Sequence, residues 1–204
     1  MVPKVIWLGH ASFKIVSDSK VIYIDPWKLK DDQKADLILI THSHMDHLSE
    51  SDIGSLRKKD TVIIGPPDVA AKVPGTIEVA PGDVKDVGWA RVEAHPAYNP
   101  KKKFHPASNR WVGFVADIKG YRIYHSGDTD VIPEMKRIRN IDVALLPVGG
   151  TYTMTAEEAA EAVKVIGPKK AIPMHWGDIV GGLEDAERFK RIAGCEVDIL
   201  NPEG

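Results

Sequence analysis

The chain has 204 residues, 43% of them hydrophobic and 27% charged, which is the balance of an ordinary globular protein. One domain spanning 1–204, with a core that needs no covalent staples, fits that length; disordered, fibrous and disulfide-scaffold classes are excluded. Lys plus Arg (27) against Asp plus Glu (29) leaves a formal charge of −2, so wholesale binding to nucleic acid or to an anionic membrane is not expected.

The first quarter reads as β structure. Runs at 5–8, 13–16 and 21–24 are rich in β-branched and aromatic residues, with Gly9 and Ser17-Asp18-Ser19 as turns between them. Residues 37–40 form a continuous apolar run, as in a strand buried on both faces. A helix is expected over 49–58, capped by Ser49, then a strand at 61–64 and a short helix at 68–72 opened by Pro66-Pro67. Strands follow at 77–79, 84–87, 90–94, 111–118 and 121–124. A helix over 130–139 and a buried strand at 142–146 come next. The clearest helix runs from 155 to 166: Thr155 and Glu158 make a capping box, and Gly167-Pro168 stops it. A strand at 171–174, a helix at 184–192 and a strand at 196–200 complete the chain. The order suggests two sheets with helices outside. Pro96 to Asn109 is irregular and carries Lys101, Lys102 and Lys103, as expected of a long loop at one end of the domain.

Cys195 is the only cysteine, so no intrachain disulfide forms and a reducing cytoplasm is the expected location. The opening residues lack the parts of a secretory leader, and no run approaches the ~18 apolar residues of a membrane span. One Gln and four Asn are few thermolabile amides, a composition that leans toward a thermophile.

The chemistry concentrates in Thr41-His42-Ser43-His44-Met45-Asp46-His47. Imidazole and carboxylate are the ligands that zinc and its neighbours prefer. A catalytic tetrahedral ion needs three protein ligands and an open position, so four in this stretch point to two ions. Further candidates stand where strands end: His95, then Asp128 in His125-Ser126-Gly127-Asp128-Thr129, then His175. Asp128 has two oxygens to share between two ions.

The motif His-x-His-x-Asp-His at 42–47 resembles that of the metallo-β-lactamase superfamily. So do the later His95, Gly127-Asp128-Thr129 and His175, together with Gly9-His10-Ala11-Ser12, Ile24-Asp25-Pro26 and Met174-His175-Trp176. The opening Gly-His-Ala-Ser and residues 125–129 are similar to the small stand-alone branch, which includes ascorbate-6-phosphate lactonase and N-acyl phosphatidylethanolamine phospholipase D. The resemblance implies an α/β fold, a four-layer αβ/βα sandwich of two mixed sheets with the metals at one edge. It implies that His42, His44 and His95 hold one ion, Asp46, His47 and His175 the other, and that Asp128 bridges. Zn²⁺ is the first choice of metal, with Mn²⁺ or Fe²⁺ as substitutes. Asp25 would orient a ligand histidine. His10 and His125 stand in family-like motifs and either reach the site or pack. His105 lies in the lysine-bearing loop, read as a solvated loop unless it overhangs the site. Trp176 would wall the pocket.

The chain departs from some branches. The lactam-hydrolysing enzymes carry Cys where Asp128 stands, and the flavo-di-iron reductases carry Glu where His44 stands. The implied activity is hydrolysis of an ester-type bond by a metal-bridging hydroxide, with Asp46 and Asp128 as catalytic carboxylates. The substrate is expected to be a small molecule; nucleic acid would enter only as substrate. Phosphodiesters or phosphorylated small molecules lead, because Lys101–Lys103 would suit them; lactone or thioester hydrolysis is the alternative. Other classes are a single-iron oxidoreductase of the sulfur dioxygenase type and a non-catalytic metal-binding module.

Overall fold

The structure, a computed structural model, describes residues 2–30 and 33–203. Strands β1 (Lys4–Gly9), β2 (Ser12–Ser17), β3 (Lys20–Ile24) and β4 (Leu37–Leu39) lead to helix α1 (Glu50–Leu56). Then come β5 (Val62–Gly65), α2 (Pro67–Ala70), β6 (Ile77–Glu78), β7 (Val84–Asp86), β8 (Arg91–Pro96), β9 (Val112–Ile118) and β10 (Tyr121–His125). The chain ends with β11 (Val143–Pro147), α3 (Ala156–Ile166), β12 (Lys170–Met174), α4 (Leu183–Ile192) and β13 (Glu196–Val197).

One sheet has the order β1-β2-β3-β4-β5-β6 and the other β13-β12-β11-β10-β9-β8-β7. Each is antiparallel among its early strands (β1 to β3, β7 to β10), which are joined by short turns except for the long loop 97–111 between β8 and β9. Each is parallel beyond that (β3 to β6, β10 to β13). Alternation along the strands sorts the core. Trp7, Phe13, Ile15, Ile22, Ile24, Leu37 and Leu39 join the second sheet in one cluster. Ile6, Leu8, Val21, Tyr23, Ile38 and Ile40 join Ile53 and Leu56 of α1 and Val69 of α2 in another. The first sheet is therefore buried on both faces, as its near-continuous apolar runs require. Helices α3 and α4 pack on each other and on β11 and β12. The expected α/β sandwich of two mixed sheets with helices is the observed fold.

Two elements differ from expectation. The helix over 130–139 is a single 3₁₀ turn, Pro133–Arg137. Ile132, Met135 and Ile138 are buried, and a spacing of three suits the 3₁₀ repeat rather than the α repeat. The final strand shortens to Glu196–Val197, which pairs with Lys170 and Ala171 of β12. Among the described residues no helix is long and apolar enough to cross a membrane.

Candidate metal centre

The site lies where β1, β3, β4, β10 and β12 end. The β1–β2 turn carries His10, β3 runs into Asp25, β4 into Thr41–His47, β10 into Asp128 and β12 into His175. These turns are conformationally unusual. His10, Asp25 and His175 all have positive φ (48°, 47° and 57°), which non-glycine residues seldom adopt and which clusters at functional sites. Gly127 also has positive φ, and a Cβ there would come within 2.9 Å of the Val112 carbonyl oxygen, so the turn that aims Asp128 requires glycine.

Three groups of side chains converge: His42, His44 and His105; His10, Asp46, His47 and His175; and His42, His47 and Asp128. Asp128 stands between them. Its Oδ2 lies 3.1 Å from His105 Nε2 and 3.2 Å from His175 Nε2, and its Oδ1 lies 3.3 Å from His47 Nε2. His42 Nε2 is 3.0 Å from His44 Nδ1. Asp46 Oδ2 is 3.7 Å from His47 Nε2 and 3.8 Å from His175 Nε2.

The outer nitrogens of these rings are held. Thr41 accepts from His42 Nδ1–H at 2.9 Å and donates its own hydroxyl to Asp25 Oδ2 at 2.7 Å. Asp25 Oδ2 also accepts from His47 Nδ1–H at 2.7 Å, and Oδ1 accepts from the Thr41 backbone N–H. One buried carboxylate thus sets two rings, consistent with its expected orienting part. His10 Nε2–H donates to Asp46 Oδ2 at 3.0 Å, so His10 reaches the site. His125 packs: its Nε2–H donates to the Ala11 carbonyl and its Nδ1 accepts from Gly127 N–H, clasping the Asp128 turn to the β1–β2 turn.

His95 is a correction. Along β8, Val92 and Ala94 are buried while Glu93 and His95 share the opposite face, as strand alternation dictates. That face puts His95 Nε2 3.5 Å from Glu93, and among the described residues His95 belongs to no converging group. His105 occupies the place expected of it. Asn99 Oδ1 accepts from His105 Nδ1–H at 2.7 Å. The loop therefore does overhang the site, yet its lysines do not serve it. Lys102 Nζ is engaged by Asp130, the Thr153 carbonyl and Glu158, and none of the three lysines lines the cavity bordered by His44, Asp46, His105, Asp128 and His175. Trp176 stacks on Trp7 at 4.8 Å and, with Trp27, walls a separate 340 Å³ cavity beside His10. Trp111 was missed: it lies 4.7 Å from the rings of both His42 and His44, fixed by its Nε1–H bond to Asp68.

The electrostatics of the bare side chains fit a cation. Burial pushes the Asp128 carboxyl up, but His175, His47 and His105 outweigh it and hold it well below the usual range. Burial likewise opposes ionisation of Asp46, yet the His10 hydrogen bond and His47 bring it to about 2. Burial and the neighbouring His47 keep His42 neutral, well below its ordinary value. Two ionised carboxylates and the neutral ring of His42 thus share the site. His47 Nε2, His105 Nε2, His175 Nε2 and Asp128 Oδ1 are buried without a hydrogen-bond partner. Orphaned polar atoms of this kind are costly in a folded protein; convergent on one space, they are of the types that could hold a divalent metal.

Comparison with known proteins agrees. A family model of the beta-lactamase superfamily domain matches residues 4–175. The UPF0173 metal-dependent hydrolase of Thermococcus onnurineus is 36% identical over 219 residues, covering 98% of this chain and 96% of that protein. A crystal structure from Parabacteroides distasonis superposes with a TM-score of 0.88 at 35% identity, covering 98% of this chain and 94% of the other. Igni18, a metallo hydrolase from the hyperthermophilic archaeon Ignicoccus hospitalis, gives 0.81 at 26% identity, with 99% and 96% covered. The relatives thus include proteins of thermophiles, the direction in which the amide-poor composition leans. The chain belongs to the metallo-β-lactamase superfamily, as one of its metal-dependent hydrolases.

Proposed function

We propose that this hydrolase holds two divalent cations, Zn²⁺ first among them, and cleaves an ester-type bond in a small molecule. His42, His44 and His105 would hold one ion and Asp46, His47 and His175 the other, with Asp128 shared. The observation that carries this reading is the position of Asp128, whose two oxygens face histidines of both sets. When bound, such ions supply Lewis acidity, polarising the oxygen of the scissile bond and acidifying water toward neutral pH.

The chain's own residues supply the rest. Asp25 and Asn99 turn ring nitrogens inward by holding the opposite ones. His10 fixes the Asp46 carboxylate by its Oδ2. Asp46 is ionised at any neutral pH and borders the open cavity, placed to accept the hydrogen of an attacking water and return it to the departing oxygen or sulfur. An intact set of ligands for a second ion favours hydrolysis over a single-iron oxidation.

The test is metal analysis joined to turnover across lactones, thioesters, carboxylic esters and phosphodiesters. Two ions per chain and hydrolysis lost on chelation are expected. Asp128→Asn should keep the fold and lower kcat by orders of magnitude. A single ion per chain with undiminished Asp128→Asn turnover would overturn the binuclear reading.

A further inference from the structure

The mouth of the metal centre is apolar. A cavity of 230 Å³ has His44, Asp46, His105, Asp128 and His175 on its floor, and Met45, Phe104, Tyr152 and Ile179 around its rim. No lysine or arginine lines it. Met45 is 78% exposed, Ile179 55% and Phe104 46%. Large apolar side chains so exposed are scattered elsewhere on the chain, at Val2, Ile77, Val84, Leu183 and Ile192, and scattered exposure is ordinary. Three on one rim, beside a catalytic floor, are a patch with a purpose.

The rim is also built. Its residues come from four different loops, after β4, β8, β11 and β12. Phe104 meets the Tyr152 ring edge-on at 4.7 Å. Ile179 has φ +55°, a left-handed backbone that β-branched residues rarely adopt. It is pinned there by Asp178, whose Oδ1 accepts from Ile179 N–H while Oδ2 pairs with Lys28 at 2.8 Å. Folding gains nothing from holding an exposed isoleucine in that conformation.

We infer that the substrate is a carboxylic ester or thioester whose acyl chain is apolar and lies against Met45, Phe104, Tyr152 and Ile179. This rests on the hydrolytic reading above and narrows it. Water adds OH to the acyl carbon, the bond from acyl carbon to oxygen or sulfur breaks, and the remaining proton leaves with the alcohol or thiol. A phosphodiester would bring an anion to a rim without a cation; a neutral acyl group needs none, and each methylene removed from water favours binding by about fourfold.

The experiment uses the metal-loaded full chain with p-nitrophenyl acetate, butanoate and hexanoate, and with bis(p-nitrophenyl) phosphate. Alongside, calorimetry measures binding of acetate, butanoate and hexanoate, the products of the first three. From acetate to hexanoate, kcat/KM should rise at least tenfold through KM, and carboxylate affinity should rise in the same order. Phe104→Ser and Ile179→Ser should flatten both series; Val84→Ser, exposed on β7 away from the cavity, should leave them steep. Equal affinity for acetate and hexanoate, or faster cleavage of the phosphodiester than of hexanoate, overturns the inference. Should no ester be cleaved, and no lactone, thioester or phosphodiester either, the hydrolytic reading falls, while the carboxylate series still decides whether the rim takes an acyl chain.

Discussion

Asn99 holds His105 twice through one oxygen: its Oδ1 accepts the backbone N–H of His105 at 3.1 Å and the ring Nδ1–H at 2.7 Å. Both residues are buried. The contact fixes the tautomer and turns Nε2 toward Asp128, the service a carboxylate usually gives a ligand histidine. Asn99→Ala should therefore loosen metal retention by about 10–100-fold, the usual cost of losing such a partner. Competition with a chelator measures it. Asn99→Asp keeps an acceptor and should recover most of the loss. Unchanged retention in Asn99→Ala would mean that the ring is set by something else.

Asp25 does the same for two rings at once, directly for His47 and through Thr41 for His42. It is fully buried. Asp25→Asn removes the charge and puts N–H donors where only acceptors fit. Loss of one partner from a buried charged pair costs about 3 kcal/mol, so denaturant unfolding should show a drop of that order with poor metal retention. Thr41→Val breaks only the relay to His42 and should cost about 1 kcal/mol. An Asp25→Asn protein as stable as the parent would refute the relay.

Much of this was legible because it is local. The Thr155–Glu158 capping box forms as its spacing requires, and the 42–47 turn puts four candidate ligand side chains on one edge because a buried strand ends just before it. What was illegible depends on which way a side chain leaves its element. His95 reads as a strand-end ligand until Val92 and Ala94 are seen to claim the inner face; the alternation was in the sequence, and it sends His95 to the side of Glu93. His105 follows Lys101-Lys102-Lys103, which looks solvated. Only tertiary contacts, Asn99 to His105 and Lys102 to Asp130, turn that loop inward. Periodicity carries no trace of them.

That contrast can be measured. His105→Ala should lose metal from the set it shares with His42 and His44, and lose activity with it. His95→Ala should bind the same metal as the parent, since its nearest charged partner is Glu93, which also accepts from Arg122 at 3.0 Å. Metal content by mass spectrometry on both variants decides it. Depletion in His95→Ala with full occupancy in His105→Ala would reverse the assignment.

The last expectation concerns protons. In the metal-free protein, burial disfavours a charged His47, but Asp128 and Asp25 outweigh it and raise its pKa well above the ordinary 6.5. A raised value means that the folded state holds the proton more tightly than the unfolded chain does. The stabilisation is therefore complete below pH 6.5 and is lost as pH rises through the raised value. Asp46 and Asp128 run the other way: their lowered values give stability that is present above 3.8 and lost as pH falls through them. A bound metal would take the His47 Nε2 lone pair, since Nδ1–H is already given to Asp25, and the cation would then stand in for the proton. About one proton per chain should leave His47 on metal uptake at neutral pH, seen as a binding heat that changes with the ionisation enthalpy of the buffer. The metal-free form should melt progressively lower as pH climbs from neutral into the alkaline range, and the loaded form should be spared that decline. A buffer-independent heat, together with parallel melting profiles for the two forms, would show that His47 is already neutral before the metal arrives.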